Sequence, residues 1–405
     1  MTSSRSRRRP RPKQSHGRSL VGTTYDVDVG AVAHGGHCVA RHEGRVIFVR
    51  HALPGERVTV RVTEGDEGSR FLRADAVDVL TAAPERVAPP CPVAGPGLCG
   101  GCDFQHVALP AQRELKAAVV REQLQRLARL DLPVTVEPVA GDVDGLRWRT
   151  RVQFALTPDG RRGLRKHRSH HVVPVEDCLI TRTDARVEVE GRPSAGGSAV
   201  EPHSVVEPHS VVEPVETHSG THTFEVAEHG FWQVHPGAPR VLVERVLAML
   251  APRPGERCLD LYAGVGLFSV YLAEAVGATG SVLAVEGDRL ACAHAESNLA
   301  AYPMASVRRG SVDRALASSP PDPVDLVVLD PPREGAKRPV VEQVVARSPR
   351  AVAYVACDPA ALSRDVALFA ERGYRLEELR AFDLFPMTHH VECVALLTKT
   401  GSDLR

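Results

Sequence analysis

Polar and apolar residues alternate through residues 22–80, as in Tyr25-Asp26-Val27-Asp28-Val29, Arg45-Val46-Ile47-Phe48-Val49 and Arg57-Val58-Thr59-Val60-Arg61-Val62. A period of two is the strand period, and Gly35-Gly36 and Pro54-Gly55 supply turns between the runs. Short strands at this spacing predict a β-barrel of the five-stranded, oligonucleotide-binding (OB) type over residues 21–81. Residues 82–110 are rich in Pro, Gly and Cys. Leu115, Val119, Leu124 and Leu127 then stand at helical spacing and predict a helix from Leu109 to about Leu130. Strand patterns return at Trp148–Phe154 and Val172–Val175. Residues 190–222 break the pattern: Glu-Pro-His-Ser-Val-Val stands at 201–206 and again at 207–212, with a degenerate copy at 213–218. A Pro-rich six-residue repeat is too short for a solenoid, so 190–222 reads as a disordered insertion in a central α+β domain spanning 82–235. Its histidines, His203, His209, His218 and His222, would take a metal only opportunistically.

From Pro236 the period changes again. Helical patterns at 237–250, 267–276, 288–300 and 360–372 alternate with apolar strands at 257–262, 281–286, 306–309, 324–330 and 351–356. Two closing strands, 374–383 and 391–398, follow. Alternation of this kind predicts a doubly wound, Rossmann-like α/β domain over 236–405.

Composition adds little to that picture and excludes some classes. The 405 residues are 43% hydrophobic and 25% charged, ordinary for a globular chain. No run of 18 apolar residues and no apolar leader is seen, so neither a membrane partner nor export is expected, and the cytoplasm is. Nine cysteines in such a chain read as ligands or reactive thiols rather than disulfides. Net charge is zero, so bulk charge does not announce a nucleic-acid binder. The arm at 1–20 is the exception: Arg5, Arg7, Arg8, Arg9, Arg11, Lys13 and Arg18 precede the first acid, Asp26, and suit phosphates. Outward Arg positions around 149–151, with Lys166 and His167 nearby, suit the same partner.

The chemistry lies at the predicted strand ends, where open α/β sheets bind ligands. Gly264 and Gly266, in Asp260-Leu261-Tyr262-Ala263-Gly264-Val265-Gly266, let backbone approach a cofactor closely. Ser269 stands where a dinucleotide site would have its third glycine, and Glu286 ends the next strand, placed to accept both ribose hydroxyls. With Asp330-Pro331-Pro332 after the fourth strand, the set points to S-adenosylmethionine. Cys357 follows the fifth strand in Ala356-Cys357-Asp358-Pro359, and the next helix's positive end is expected to favour a thiolate. Glu392 lies near the start of the last strand. A thiol and a carboxylate beside a methyl donor answer one problem, because a pyrimidine C5 is a poor nucleophile. Thiolate addition at C6 makes C5 nucleophilic, and a base must then remove the C5 proton.

Phe231–His235, Asp260–Gly266, Asp330-Pro331-Pro332-Arg333, Tyr354–Pro359 and His390-Val391-Glu392 together resemble the RNA uracil-C5 methyltransferase family, and residues 22–80 resemble its TRAM barrel. The resemblance implies Cys357 as nucleophile and Glu392 as base, with Gln233, Tyr262, Glu286 and Asp330 on the cofactor and Ser311 beside them. It implies an RNA partner, ribosomal (23S) rather than transfer RNA, and a monomer. Asp358 departs from the family's usual Asn, and its like charge is expected to raise the thiol's pKa. Cys91, Cys99, Cys102 and Cys178 are a four-thiolate set that by spacing suits zinc or an iron–sulfur cluster. The resemblance, through Cys99-Gly-Gly-Cys102 followed by Asp103-Phe104-Gln105, implies a [4Fe–4S] cluster, with a structural role. Cys38, Cys258, Cys292 and Cys393 read as packing residues. Two other functions compete. One is an exocyclic-amine methyltransferase of the Asp-Pro-Pro type, although Arg333 stands where its stacking aromatic belongs. The other is a non-enzymatic, cluster-bearing RNA-binding protein.

Overall fold

A computed structural model describes residues 17–190 and 210–401. Contacts divide the chain into two units: residues up to Arg86 together with 95–97, and the remainder. In the first, β1 (Thr24–Ala33), β2 (His37–His42), β3 (Arg45–Arg50), β4 (Arg57–Glu64) and β5 (Phe71–Thr81) close a barrel in the order β1-β2-β3-β5-β4. The alternation predicted from sequence fills it: Val27, Val29, Ile47, Val49, Val58, Val60 and Val62 all point inward and are buried. Buried Glu56 accepts from Arg86 Nε at 2.5 Å and Nη2 at 2.6 Å, fastening the segment that leaves β5. Residues 1–16 of the basic arm lie outside the described residues. Arg18, near the arm's end, engages Glu67 through both its backbone N–H and its guanidinium.

The second unit opens with α1 (Leu109–Gln123), which runs into a π-helical turn at Leu124–Ala128. The predicted apolar face is only partly the real one. Leu127 is 38% exposed, whereas the polar Gln112 and Lys116 are 0% and 1% exposed. Lys116 is accommodated because its Nζ lies 2.5 Å from Asp383 Oδ1 and donates to the Phe385 carbonyl at 3.0 Å.

Strand β6 (Val136–Glu137) leads to a four-stranded sheet ordered β10-β7-β8-β9, built from β7 (Arg149–Leu156), β8 (Arg162–Arg165), β9 (Val172–Pro174) and β10 (Thr181–Val189). The Arg-rich face expected here to meet phosphates is largely engaged internally. Arg149 donates to the Arg151 carbonyl, and Arg151 donates to the Gly230 carbonyl and Glu213.

Residues 191–209, with the first repeat copy and His203 and His209, lie outside the described residues. The remainder of the expected 190–222 disordered insertion is corrected by a hairpin, β11 (Ser210–Thr217) and β12 (Gly220–Ala227), in full antiparallel register. Its physical cause is alternation: Val215, Phe224 and Val226 enter the core, Phe224 packing against Tyr271 and Trp232. His218 and His222 pair with Glu244 and Glu274.

The C-terminal part then alternates as predicted: α2 (Ala238–Leu250), β13 (Arg257–Leu261), α3 (Leu267–Val276), β14 (Ser281–Glu286), α4 (Arg289–Asn298), β15 (Ala305–Arg309), α5 (Val312–Ala317), β16 (Leu326–Leu329), α6 (Lys337–Ala346), β17 (Ala351–Ala356), α7 (Pro359–Ala370), β18 (Tyr374–Phe382) and β19 (Glu392–Lys399). Helices α5 and α6 were not read from the pattern. The sheet order is β15-β14-β13-β16-β17-β19-β18-β6, parallel from β15 to β17, with β19 inserted antiparallel between β17 and β18. Strands β16 and β17 are wholly buried, as continuous apolar runs require when both sheet faces are covered. Among the described residues no helix is long and apolar enough to cross a membrane.

Because Lys116 and Asp383 are buried together, removing only one should cost about 3–5 kcal/mol. Lys116→Met should lower the urea midpoint strongly. Lys116→Met with Asp383→Leu should recover part of the loss, and equal midpoints for single and double variants would contradict the pairing.

Candidate active site

Every strand of the parallel sheet delivers a polar residue to the same rim. Register pairs Leu261 with Val285 and with Leu329, and Leu329 with Tyr354. One step beyond each strand stand Tyr262, Asp330 and Cys357, and Glu286 ends β14. On the other side, β17 and β19 run antiparallel with Ala356 opposite Cys393. The next pair outward is therefore Cys357 and Glu392, side by side at the rim. These groups line one cleft of about 1350 Å³, together with Gln233, Gly264, Ser311, Arg333 and His390. That volume exceeds the roughly 300–1,000 Å³ of a site for one small ligand.

The glycine turn is built from its backbone. Gly264 and Gly266 have φ of 55° and 88°, in the left-handed region that glycine occupies without strain. Tyr262 shares that region at φ 66° and is held there, its N–H donating to the Val285 carbonyl. Gly264 N–H donates to Glu286 Oε2 at 2.8 Å, and Asp288 N–H donates to Oε1 at 2.7 Å. The Glu286 carboxylate is thus fixed with its remaining lone pairs toward the cleft. Ser269 has a role that sequence did not supply: its hydroxyl donates to buried Asp260 Oδ2 at 2.5 Å, tying the start of the turn to α3. Ser311 stands at the N-cap of α5, and Gln233 is half-buried on the cleft wall.

Acids crowd this rim. Burial pushes Asp260 up to about 7 against the lowering hydrogen bonds from Ser269, with Glu286 adding to it, and burial, then the charges of Asp260 and Glu286, push Asp330 up to about 7. Burial, with Asp330 beside it, holds Glu392 well above the ordinary carboxylate range. Burial pushes the Cys357 thiol up to about 12, the charges of Glu392, Asp330 and Asp358 adding to it and that of Arg333 opposing it. The expectation of a thiolate stabilised by α7 is therefore corrected. Asp358 caps that helix itself, accepting from Ala361 N–H at 2.8 Å, so the exposed positive end is spent on a carboxylate. The like-charge effect expected of Asp358 is present. Arg333 and His390, missed as site residues, approach within 3.4 Å of each other on the cleft wall. Burial, then the charges of His389 and Arg333, push the His390 ring down to about 3.

None of the four cysteines of the predicted cluster is joined in a disulfide. Cys102 and Cys178 share a patch with Trp148, Ile180 and Met387. Burial pushes the Cys102 thiol up to about 12; a hydrogen bond from Gln105 lowers it, and the neighbouring Cys178 and Cys99 raise it. Gln105 Nε2 donates to Cys102 Sγ at 3.3 Å, while its Oε1 accepts from Cys91 N–H at 3.0 Å. Four soft donors without an intervening oxygen suit a thiolate-bound centre in chemistry. Among the described residues, however, no three such side chains are gathered closely enough to hold a metal ion. The remaining cysteines, Cys38, Cys258, Cys292 and Cys393, are buried.

Fold and rim together define a class I methyltransferase. Residues 18–77 match the TRAM domain family, and residues 323–400 match the family described as tRNA (Uracil-5-)-methyltransferase. A protein of Streptomyces avermitilis described as an uncharacterized RNA methyltransferase is 47% identical, over 95% of this chain and 100% of its own length. Another from Streptomyces coelicolor is also 47% identical, over 95% of each chain. The chain belongs to the family of RNA methyltransferases that carry the uracil-5-methyltransferase signature. In fold it is similar to the Pyrococcus abyssi tRNA (uracil-54, C5)-methyltransferase solved with S-adenosyl-L-homocysteine, with a TM-score of 0.65 and 22% identity, covering 92% of this chain and 100% of that one.

Two predictions follow from the electrostatics. Asp260 and Asp330 have folded values near 7, above the ordinary 3.8. The contribution of each to stability is complete below about pH 4 and is lost as pH rises through 7, up to about 4 kcal/mol for either group taken alone. The urea midpoint of the ligand-free protein should fall between pH 5 and pH 8, and Asp260→Asn should flatten that slope; an unchanged slope would refute it. Separately, iodoacetamide should label Cys357 slowly at pH 7, the rate rising about tenfold per pH unit to at least pH 10. A plateau near neutrality would show a low-pKa thiolate instead.

Proposed function

We propose that this protein transfers a methyl group from S-adenosylmethionine to C5 of a uridine in RNA through a covalent Cys357 adduct. The observation that carries this reading is the pairing of Cys357 with Glu392 at the rim that also holds the glycine turn, Glu286 and Asp330. S-adenosylmethionine supplies the methyl group as an electrophile. Glu286 would take the ribose hydroxyls, with Gly264 and Gly266 providing close backbone approach. Gln233, Tyr262, Ser311 and Asp330 complete its surroundings.

Reaction begins when Cys357 gives up its proton to water in the open cleft and its sulfur bonds to C6, moving the C5–C6 π pair toward the uracil O4. Arg333 is the cation that lowers the thiol's pKa and so favours the thiolate. C5 then takes the methyl group. Glu392 removes the C5 proton, the C5–C6 double bond re-forms, and the bond to Cys357 sulfur breaks. A carboxyl with a raised pKa is the stronger base once ionised, which suits abstraction from carbon.

The TRAM barrel supports RNA as the partner. We take 23S ribosomal RNA as the target on the family resemblance of a chain carrying both the barrel and the Cys91, Cys99, Cys102 and Cys178 set. For that set we propose a [4Fe–4S] cluster with a structural role; iron and sulfide content of anaerobically purified protein tests it, and zinc alone would redirect it.

RNA carrying 5-fluorouridine should accumulate an SDS-stable adduct, because fluorine cannot leave as a proton does. Cys357→Ala should abolish the adduct and lower methyl transfer by at least about 10³-fold. Full methylation by Cys357→Ala would sink the covalent reading. Mapping 5-methyluridine in a deletion strain identifies the RNA.

A further inference from the structure

The segment between β18 and β19, residues 383–391, contributes Phe385, Thr388 and His390 to the cleft wall and leads directly into Glu392. It is gripped from outside the catalytic sheet. Met387 has φ 66°, a strained conformation for a side chain of its size, so its neighbours must hold it. They do so from both peptide groups. Met387 N–H donates to Gln112 Oε1 at 2.8 Å, and the Met387 carbonyl accepts from the N–H groups of Asp103 and Phe104, each at 3.0 Å. Gln112 is itself fixed, its Nε2 donating to the Phe104 carbonyl at 3.1 Å and the Val107 carbonyl at 2.9 Å. One residue beyond Thr388 in sequence, His389 donates its backbone N–H to Asp103 Oδ2 at 3.2 Å, and its ring Nδ1 lies 2.5 Å from the same oxygen. The His389 ring in turn lies 4.1 Å from that of His390.

We infer that Asp103 and Gln112 are positioning residues for the proton-removal step. They sit in the cysteine loop and on α1, touch neither the glycine turn nor Cys357, and set the path of the chain that presents Glu392. Asp103 adjoins Cys102, so the cysteine loop reaches the base through two peptide groups and one carboxylate. The thiol attack depends on β17 and is independent of this grip. The step that should suffer is the one Glu392 performs. The inference rests on the base role proposed for Glu392.

The test uses full-length enzyme and RNA extracted from a strain lacking this chain, with ordinary uridine at the target. Asp103→Ala and Gln112→Ala should lower kcat about ten- to a hundredfold, as a displacement near 1 Å does, with KM for RNA unchanged. They should also accumulate an SDS-stable protein–RNA adduct, because methylated product stays bound to Cys357 until the C5 proton leaves. Asp103→Asn, which keeps an acceptor for the His389 N–H, should recover most of kcat. Glu392→Gln is the reference and should accumulate the same adduct. Adduct with Glu392→Gln but none with Asp103→Ala or Gln112→Ala overturns the inference alone, as does a rise in KM without loss of kcat. No adduct with Glu392→Gln overturns the base role and this inference with it. If Asp103→Ala melts early, His389→Ala, which removes the ring half of the contact and leaves the backbone N–H bond, carries the same comparison at smaller amplitude.

Discussion

Four ionisable groups stand at or just inside one sheet rim, Asp260 and Glu392 buried, Asp330 and the Cys357 thiol half-buried, and the loss of water and the nearby charges there are the constraint on which the site depends. Each pays for ionisation in two ways, through lost water and through the charge of its neighbours. Burial and the facing charges raise the pKa of each group, so ionising them together is disfavoured. Arg333 opposes the repulsion at the thiol, and its place on the cleft wall makes it part of the balance.

That crowding is possible only because the sheet reverses direction once. Had β19 run parallel to β17, its start would lie at the opposite edge and Glu392 could not meet Cys357. Antiparallel insertion brings the end of one strand and the beginning of another to the same rim. It also requires a connection, residues 383–391, that crosses the cleft mouth. The central segment supplies what steadies this connection, through buried Lys116, Gln112 and Asp103. The polar inner face of α1 is explained by that task.

The alternating patterns were legible because period and burial agree. Barrel strands with one face inward, and apolar strands covered on both faces, appear at or within a few residues of where their sequences place them. Ser210–Ala227 misled because Pro and the repeat obscure an ordinary alternation, visible only once Val215, Phe224 and Val226 are seen packed against α3 and the following helix. Helix α1 misled in a different way. Spacing of apolar residues cannot reveal that Gln112 and Lys116 face inward, since their partners lie about 270 residues away, at Met387 and Asp383.

Sequence by itself determined the chemical inventory: a glycine turn, an acid on the second strand, a thiol after the fifth, a carboxylate before the last and four further cysteines. Those follow from residue type and local period, which are properties of short stretches. Tertiary structure decided which of them share an electrostatic environment. The thiol's position after a strand and before a helix suggested activation, yet the burial, Asp358 and the facing acids push it the other way. Long-range register alone sets Cys357 beside Glu392, and only packing across the chain shows Asp103 and Gln112 holding the path to that base. Electrostatic shifts and loop positions depend on groups distant in sequence, so no local pattern can encode them.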